Sequence, residues 1–212
     1  GQIQVLLLRG LISLRTADHQ QAILSAEQGL ALARSSGDRY WLAMSINLMA
    51  LVDPDLSRRG IWLEEAQTAF AEIGDIVQQS MMLSNLGNWF LAFGLFSQAV
   101  ANAQKMLQVL PALHKDMTVV RVYSLQTLGI ALNELGELTA ARTALEEGLQ
   151  LAQQANMRVL DHILVSGLAT IDLQQGHLQR AIERWAEIEQ RWPDPPPHTI
   201  AEWRAGQAVA AR

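Results

Sequence analysis

The sequence predicts an all-α fold built from consecutive helical hairpins. Apolar residues recur at three- and four-residue steps along most of the 212 residues, which is typical of amphipathic helices, and clusters of strand-forming residues are scarce. Half of the residues are hydrophobic and 17% are charged, a composition typical of chains that fold. A pattern of small and apolar residues also repeats with a period of roughly 34 to 45 residues, which is that of stacked helix pairs.

Each repeat carries one small residue in its first helix and one alanine in its second. Small residues facing each other let two helix axes approach closely. The small residues of the first helices are Gly10, Ala50, Gly87, Gly129 and Ala169. The alanines of the second helices are Ala22, Ala66, Ala99, Ala141 and Ala181, separated by 44, 33, 42 and 40 residues.

The pattern predicts five helix pairs and one further segment. The helix pairs are residues 3–15 with 19–35, 38–52 with 58–73, 75–93 with 96–110, 117–135 with 138–155, and 157–175 with 178–191. We expect one repeat domain over 1–192, with repeats 3–35, 38–73, 75–110, 117–155 and 157–191, and then a Pro-rich break and a C-terminal helix over 193–212, either a partial repeat or a cap. The second pair departs from the pattern, because Asp53-Pro54-Asp55 ends a helix and extra residues precede Ala66; this is either a longer loop or a slipped register.

Over roughly 190 residues the chain resembles the tetratricopeptide repeat superfamily. The most specific match runs from Leu125 to Gly148, and Pro193 closes the fifth unit as in that family. The long repeats are similar to the repeat regions of large bacterial signalling and transcriptional regulators. The resemblance implies a right-handed α-α superhelix whose first helices line a concave groove.

The resemblance also implies that the chain is a scaffold that binds a protein or peptide, within a larger cytoplasmic bacterial regulator. The alternative is a helical-repeat domain that senses a small-molecule inducer. That alternative calls for an aromatic cluster on the inner face, where only Tyr123 is expected. A further alternative is that the groove is filled by the chain itself or by another domain.

The inner face of the first helices is the predicted binding surface. It mixes amides, which can pair with a peptide backbone as donor and acceptor, with adaptable Met and aliphatic side chains. It carries no Lys or Arg, so the carboxylate clamp of the family is not expected. The predicted surface consists of Asn47, Met81, Ser84, Asn88, Leu91, Tyr123, Gln126, Ile130, Asn133, Glu134, Ile163, Ser166 and Thr170.

Other classes of function find little support in the sequence. The chain has no Cys, which excludes disulfides and thiolate metal sites, and its net charge of −5 argues against direct nucleic-acid binding. We see no signal peptide and no run of about 20 apolar residues that would span a membrane. The five histidines lack the spacing of a metal site, and no acid–base constellation is present, so we expect no cofactor, no metal and no catalysis.

The first helix is apolar on nearly all sides, from Ile3 to Leu14. Since a terminal helix of a repeat array normally exposes a polar face, we expect this helix to be covered. Either an upstream unit covers it, in a chain that begins at Gly1 because it was trimmed, or the chain forms a homodimer through it.

Overall fold

In the computed structural model, residues 1–110, 117–191 and 208 are described. The described ranges contain ten α-helices and no strand. The helices are α1 (Gln2–Arg15), α2 (His19–Ser36), α3 (Arg39–Val52), α4 (Leu56–Glu72), α5 (Ile76–Ala92), α6 (Phe96–Val109), α7 (Thr118–Glu134), α8 (Leu138–Gln154), α9 (Arg158–Gln174) and α10 (Leu178–Arg191). Each helix begins within two residues of its predicted start, so the all-α hairpin fold is confirmed. Apart from Ala208, the predicted C-terminal segment 193–212 lies outside the described residues.

The helices divide between two compact units. The first unit is Gly1–Trp89 and the second begins at Phe90, so the boundary falls inside α5. In the first unit α1 packs on α2 and α3 on α4, and α2 also packs on α3. In the second unit α6 packs on α7, α7 on α8, α8 on α9, and α9 on α10. The division into one repeat domain with five repeats stays a prediction.

Small residues of the first helices lie at the predicted contacts with the second helices. A Cβ added to Gly10 would lie 3.5 Å from the carbonyl oxygen of Ala22, and one added to Gly129 would lie 3.2 Å from that of Ala141. Ala22 and Ala141 are fully buried. The close approach expected from the sequence is therefore present in both hairpins.

The second hairpin corrects the predicted register. Its loop has only three residues, 53–55, because the Asp55 side chain accepts hydrogen bonds from the backbone N–H groups of Ser57 and Arg58 and so caps a helix that begins at Leu56. The extra residues before Ala66 belong to α4. Ala66 is therefore much further from the start of its helix than Ala22 is from the start of α2, so the two residues are not equivalent. The fourth residue of α4, which corresponds to the alanines of the other second helices, is Arg59, and the next residue, Gly60, lies against the ring of Trp89. Counted from Arg59, the first two repeat separations become 37 and 40 residues.

A buried carboxylate holds the loop of this hairpin. Asp53 accepts a hydrogen bond from the indole Nε1 of Trp62 at 2.8 Å and another from the backbone N–H of Asp55 at 3.0 Å. The Arg58 guanidinium lies 3.3 Å from the same carboxylate. Burial alone would raise the pKa of Asp53, but these hydrogen bonds and the charges of Arg58 and Arg59 hold that pKa below its usual value.

A second buried carboxylate joins three helices of the second unit. Asp172 of α9 is 0% exposed; Arg142 of α8 donates to its Oδ1 at 2.6 Å, and Arg184 of α10 donates to its Oδ2 at 2.7 Å. Burial alone would raise the pKa of Asp172, but the hydrogen bonds and charges of the two arginines hold that pKa below its usual value. Trp185 of α10, predicted to be core, is buried in a hydrophobic cluster with Val165 and Ala169 of α9.

The first helix exposes an apolar stripe. Val5, Leu8 and Ile12 of α1 are 63%, 52% and 62% exposed. Within the described residues, no helix is long and apolar enough to cross a membrane. The homodimer through α1 stays a prediction.

Candidate functional site

One register of the first helices carries a polar side chain in four consecutive hairpins. The position lies three residues before the small residue that contacts the second helix, so it is rotated to one side of the seam within the hairpin. It holds Asn47 in α3, Ser84 in α5, Gln126 in α7 and Ser166 in α9. All four belong to the predicted binding surface.

Two amides of α7 are buried without a hydrogen-bond partner. Gln126 is 9% exposed and Asn133 is 8% exposed, and the Oε1 and Oδ1 atoms of these side chains accept no hydrogen bond within the described part of the chain. A buried polar group without a partner costs about 1–3 kcal/mol of stability. Asn47, at the position of Gln126 in the first unit, has an Oδ1 atom in the same condition. The oxygens of these amides therefore have unused hydrogen-bonding capacity.

The remaining predicted residues of α7 extend the same stripe. Tyr123, Gln126, Ile130 and Asn133 follow each other at steps of three and four residues and so lie along one side of the helix. Tyr123 and Ile130 are half-buried, and Glu134 at the end of the helix is exposed. The stripe presents a ring, an aliphatic side chain and two amides.

Helix α9 supplies a neighbouring stripe. Helix α7 contacts α9 directly, and Tyr123 and Ile163 pack against the same buried cluster. Ile163, Ser166 and Thr170 are half-buried, and the Thr170 hydroxyl donates to the carbonyl oxygen of Ser166 at 3.1 Å. In the second unit the predicted residues of α7 and α9 are thus brought together.

The predicted residues of the first unit lie on two helices. Asn47 is half-buried on α3. On α5, Met81 and Asn88 are exposed and Ser84 is half-buried. Leu91 is half-buried and lies past the boundary, in the second unit. A single groove through all these residues stays a prediction.

The chemistry of these stripes is that of binding by neutral groups. Glu134 is the one charged residue of the predicted surface. Among the described residues, no group of three His, Asp or Glu side chains is placed to hold a metal ion. The sequence identified the amides but could not show that their oxygens are buried and unpaired, because that depends on what the neighbouring helix offers.

Comparison with solved structures identifies the fold as that of tetratricopeptide-repeat proteins. The chain is similar to the Signal Transduction ATPase with Numerous Domains (STAND) protein with a tetratricopeptide repeat sensor from Pyrococcus horikoshii, with 11% identity, a TM-score of 0.82, and coverage of 98% of this chain and 33% of that one. The apo form of RapI matches with 12% identity and a TM-score of 0.81, over 100% of this chain and 59% of that one. The TPR2AB domain of yeast Sti1, in a complex with pHSP90, matches with 12% identity and a TM-score of 0.51, over 99% of this chain and 86% of that one.

Two limits follow from the comparisons. The chain spans one third of the STAND protein and about three fifths of RapI. No protein-family model matches the chain, and no curated protein matches it by sequence. At these identities the likeness establishes the arrangement of helices.

Proposed function

We propose that this chain, which has the tetratricopeptide-repeat fold, is an interaction scaffold. It binds an extended segment of a partner protein along the inner stripes of α7 and α9. The observation that carries the proposal is the pair of buried, unpartnered amides, Gln126 and Asn133. A folded chain that leaves such groups unpaired loses stability, whereas a bound peptide group would supply both the donor and the acceptor that an amide needs.

The spacing of the two amides fits an extended backbone. Gln126 and Asn133 are seven residues apart on α7, which places them about 10 Å apart along the helix axis. Three residues of extended chain span about the same distance. A segment that runs along α7 can therefore pair with both amides, while Tyr123 and Ile130 contact its side chains.

The charge of the surface suggests which segments bind. The predicted surface has no Lys or Arg, and its one charged residue is the exposed Glu134. An acidic segment would find no positive partner here. We therefore expect a neutral or weakly basic segment with aliphatic side chains.

We further propose that the chain is the repeat region of a larger bacterial regulatory protein in the cytoplasm. Support comes from the STAND protein, whose tetratricopeptide repeats are described as a sensor and of which this chain spans one third. Among the residues of the predicted surface Tyr123 is the single aromatic side chain. This disfavours an inducer-sensing site lined by stacked rings, compared with a peptide-binding one.

A peptide selection tests the proposal. The 212-residue chain is used to select from a random peptide library, and the selected peptides are measured against the double variant Gln126→Met with Asn133→Leu. These substitutions remove the amides but keep the volume, so we expect binding to fall at least about tenfold, which is about 1.4 kcal/mol, while helicity stays unchanged. The pair Asn88→Ala with Tyr123→Ala should also weaken capture.

The matched control changes two exposed glutamines of a second helix, Gln150→Met with Gln154→Leu, and should leave binding intact. Equal binding by the α7 variant and this control would refute the site. A selection that enriches no peptide would refute the proposed function as well.

A further inference from the structure

A second candidate site lies within the second unit, between α6 and α8. Here the three helices α6, α7 and α8 enclose an open groove of about 810 Å³. We call it the leucine groove, because its floor is formed by four leucines: Leu125, Leu128 and Leu132 of α7, and Leu135, which directly follows α7. Open apolar surface of this kind is commonly an interaction site.

The lining follows the spacing of a helical bundle. Along α7 and the residue that follows it, the four leucines lie at steps of three, four and three residues. The same steps recur on the two walls, with Ser97, Val100, Gln104 and Leu107 on α6, and with the N-cap residue Glu137 followed by Ala140, Ala144 and Glu147 on α8. Thr143 of α8 also lines the groove, outside these steps. Ten residues of helix are about 15 Å long, so each stripe presents nearly three turns. Three parallel stripes at this spacing form the lining of a helix bundle from which one helix is missing.

The next repeat shows how this kind of gap can be closed. Leu132 and Asp172 occupy equivalent positions in α7 and α9, three residues after Gly129 and Ala169. Between α8 and α10, the next pair of second helices, two arginines bind Asp172 of α9 from either side. There the chain fills the space between the helices with its own side chains.

In the leucine groove the equivalent positions are all apolar. The equivalent of Arg142 is Val100, one residue after the marker alanine of its helix, and the equivalent of Arg184 is Ala144, three residues after it. Val100, Leu132 and Ala144 all line the groove. No side chain of these three can bridge the gap as the arginines do, and the floor stays open.

The charges at the rim indicate what the groove takes. The two charged residues of its lining, Glu137 and Glu147, are both acidic and lie at opposite ends of the α8 stripe. Arg121 already pairs with Glu147. Glu137 lies at the start of α8, where its side chain makes no capping hydrogen bond. A basic side chain of a ligand can therefore pair with Glu137.

We propose that the leucine groove binds an amphipathic α-helix of a partner protein, with an aliphatic stripe of about three turns and at least one basic residue at its flank. The helix lies between α6 and α8, its aliphatic side chains contact the accessible leucines Leu128, Leu132 and Leu135, and the basic residue pairs with Glu137. The site is separate from the peptide-binding stripe, because at about 100° per residue the two stripes lie on roughly opposite sides of α7.

The test uses the whole chain and a stapled, fluorescein-labelled helical peptide of about three turns. Its leucines are spaced at three and four residues and lysines flank them. Fluorescence anisotropy should show saturable binding. A peptide with glutamates in place of the lysines should bind more weakly, and one with alanines in place of the leucines should not bind.

Two variants of the chain place the peptide in the groove. Ala140 is exposed on the wall, so Ala140→Trp should block the groove without loss of helicity and weaken binding at least about tenfold. Glu137→Lys should weaken the lysine peptide and strengthen the glutamate peptide. Ala101→Trp, at an exposed position of α6 outside the lining, is the matched control and should bind as the unchanged chain does.

The outcomes separate this proposal from the proposed function. No binding of the lysine peptide, or equal binding by the Ala140→Trp and Ala101→Trp variants, would overturn the groove as a helix site. If ultracentrifugation shows instead that Ala140→Trp dissociates a dimer of the chain, the occupant is a second copy, and the proposal of a partner helix is wrong. The Gln126→Met and Asn133→Leu variant should keep its affinity for the helical peptide whether or not the inner stripe binds peptides.

Discussion

Replacing Gly129 by alanine should destabilise the chain, although alanine favours a helix more than glycine does. The gain in helix propensity is about 1 kcal/mol. The added methyl group, however, would lie 2.5 Å from both Cγ and Cδ2 of Leu145 and 3.2 Å from the carbonyl oxygen of Ala141. Leu145 is buried within the core of the second unit and cannot move without displacing its neighbours. Overpacking of this kind costs about 1–3 kcal/mol, so we expect a net loss of about 1 kcal/mol for alanine and of about 2–3 kcal/mol for leucine.

Gly29 of α2 provides the matched control. A Cβ at Gly29 would meet its nearest neighbour, Cδ2 of Leu7, at 3.4 Å, which is ordinary contact. Gly29→Ala should therefore raise the free energy of unfolding by up to about 1 kcal/mol. Urea denaturation followed by far-UV circular dichroism measures both changes. If Gly129→Ala stabilises the chain as much as Gly29→Ala does, the close approach of α7 and α8 is refuted.

Two further predictions concern the buried carboxylates. Asp172→Asn removes the charge that Arg142 and Arg184 share, and should lower the free energy of unfolding by about 2 kcal/mol at neutral pH. Because the folded-state pKa of Asp172 lies below the unfolded value of about 3.9, the stabilisation is complete above that value and is lost as the pH falls through the folded-state pKa. Urea titrations should then show a smaller difference between the variant and the unchanged chain in acid; a constant difference would contradict the argument. Trp62→Phe should cost about 1–2 kcal/mol in the same assay, because Asp53 loses its indole donor, and an unchanged midpoint would show that this hydrogen bond contributes nothing.

The helices could be predicted from the sequence because their signals are local. Small residues such as Gly129 and Ala141 mark the seam of a hairpin, and Gly136, with a φ of 82°, marks the turn between its helices. The predicted register of α4 was wrong because the same rule was applied to Ala66, whereas the equivalent position holds Arg59, which is not a small residue. The sequence also does not indicate that Gly60 packs against the aromatic ring of Trp89.

The features that join distant segments could not be predicted. Asp172 meets Arg142 and Arg184 only because three helices converge, and nothing in the spacing of 30 and 12 residues marks that contact. The same holds for the leucine groove. The spacing of Leu128 and Leu132 predicts that both are core residues. They are partly exposed because α6 has no long side chain, such as Arg142 of α8, that would cover them.

The four polar residues at one register of the first helices have a practical consequence for protein engineering. At two of these positions, Asn47 and Gln126, an aliphatic side chain would raise the thermal stability, since each buried amide oxygen that lacks a donor lowers it. A redesign that selects for melting temperature alone would replace these residues and would obtain a higher melting temperature. If these residues bind a partner as we propose, the resulting protein would be more thermostable but would bind that partner less well, so thermal stability alone is the wrong criterion by which to improve this chain.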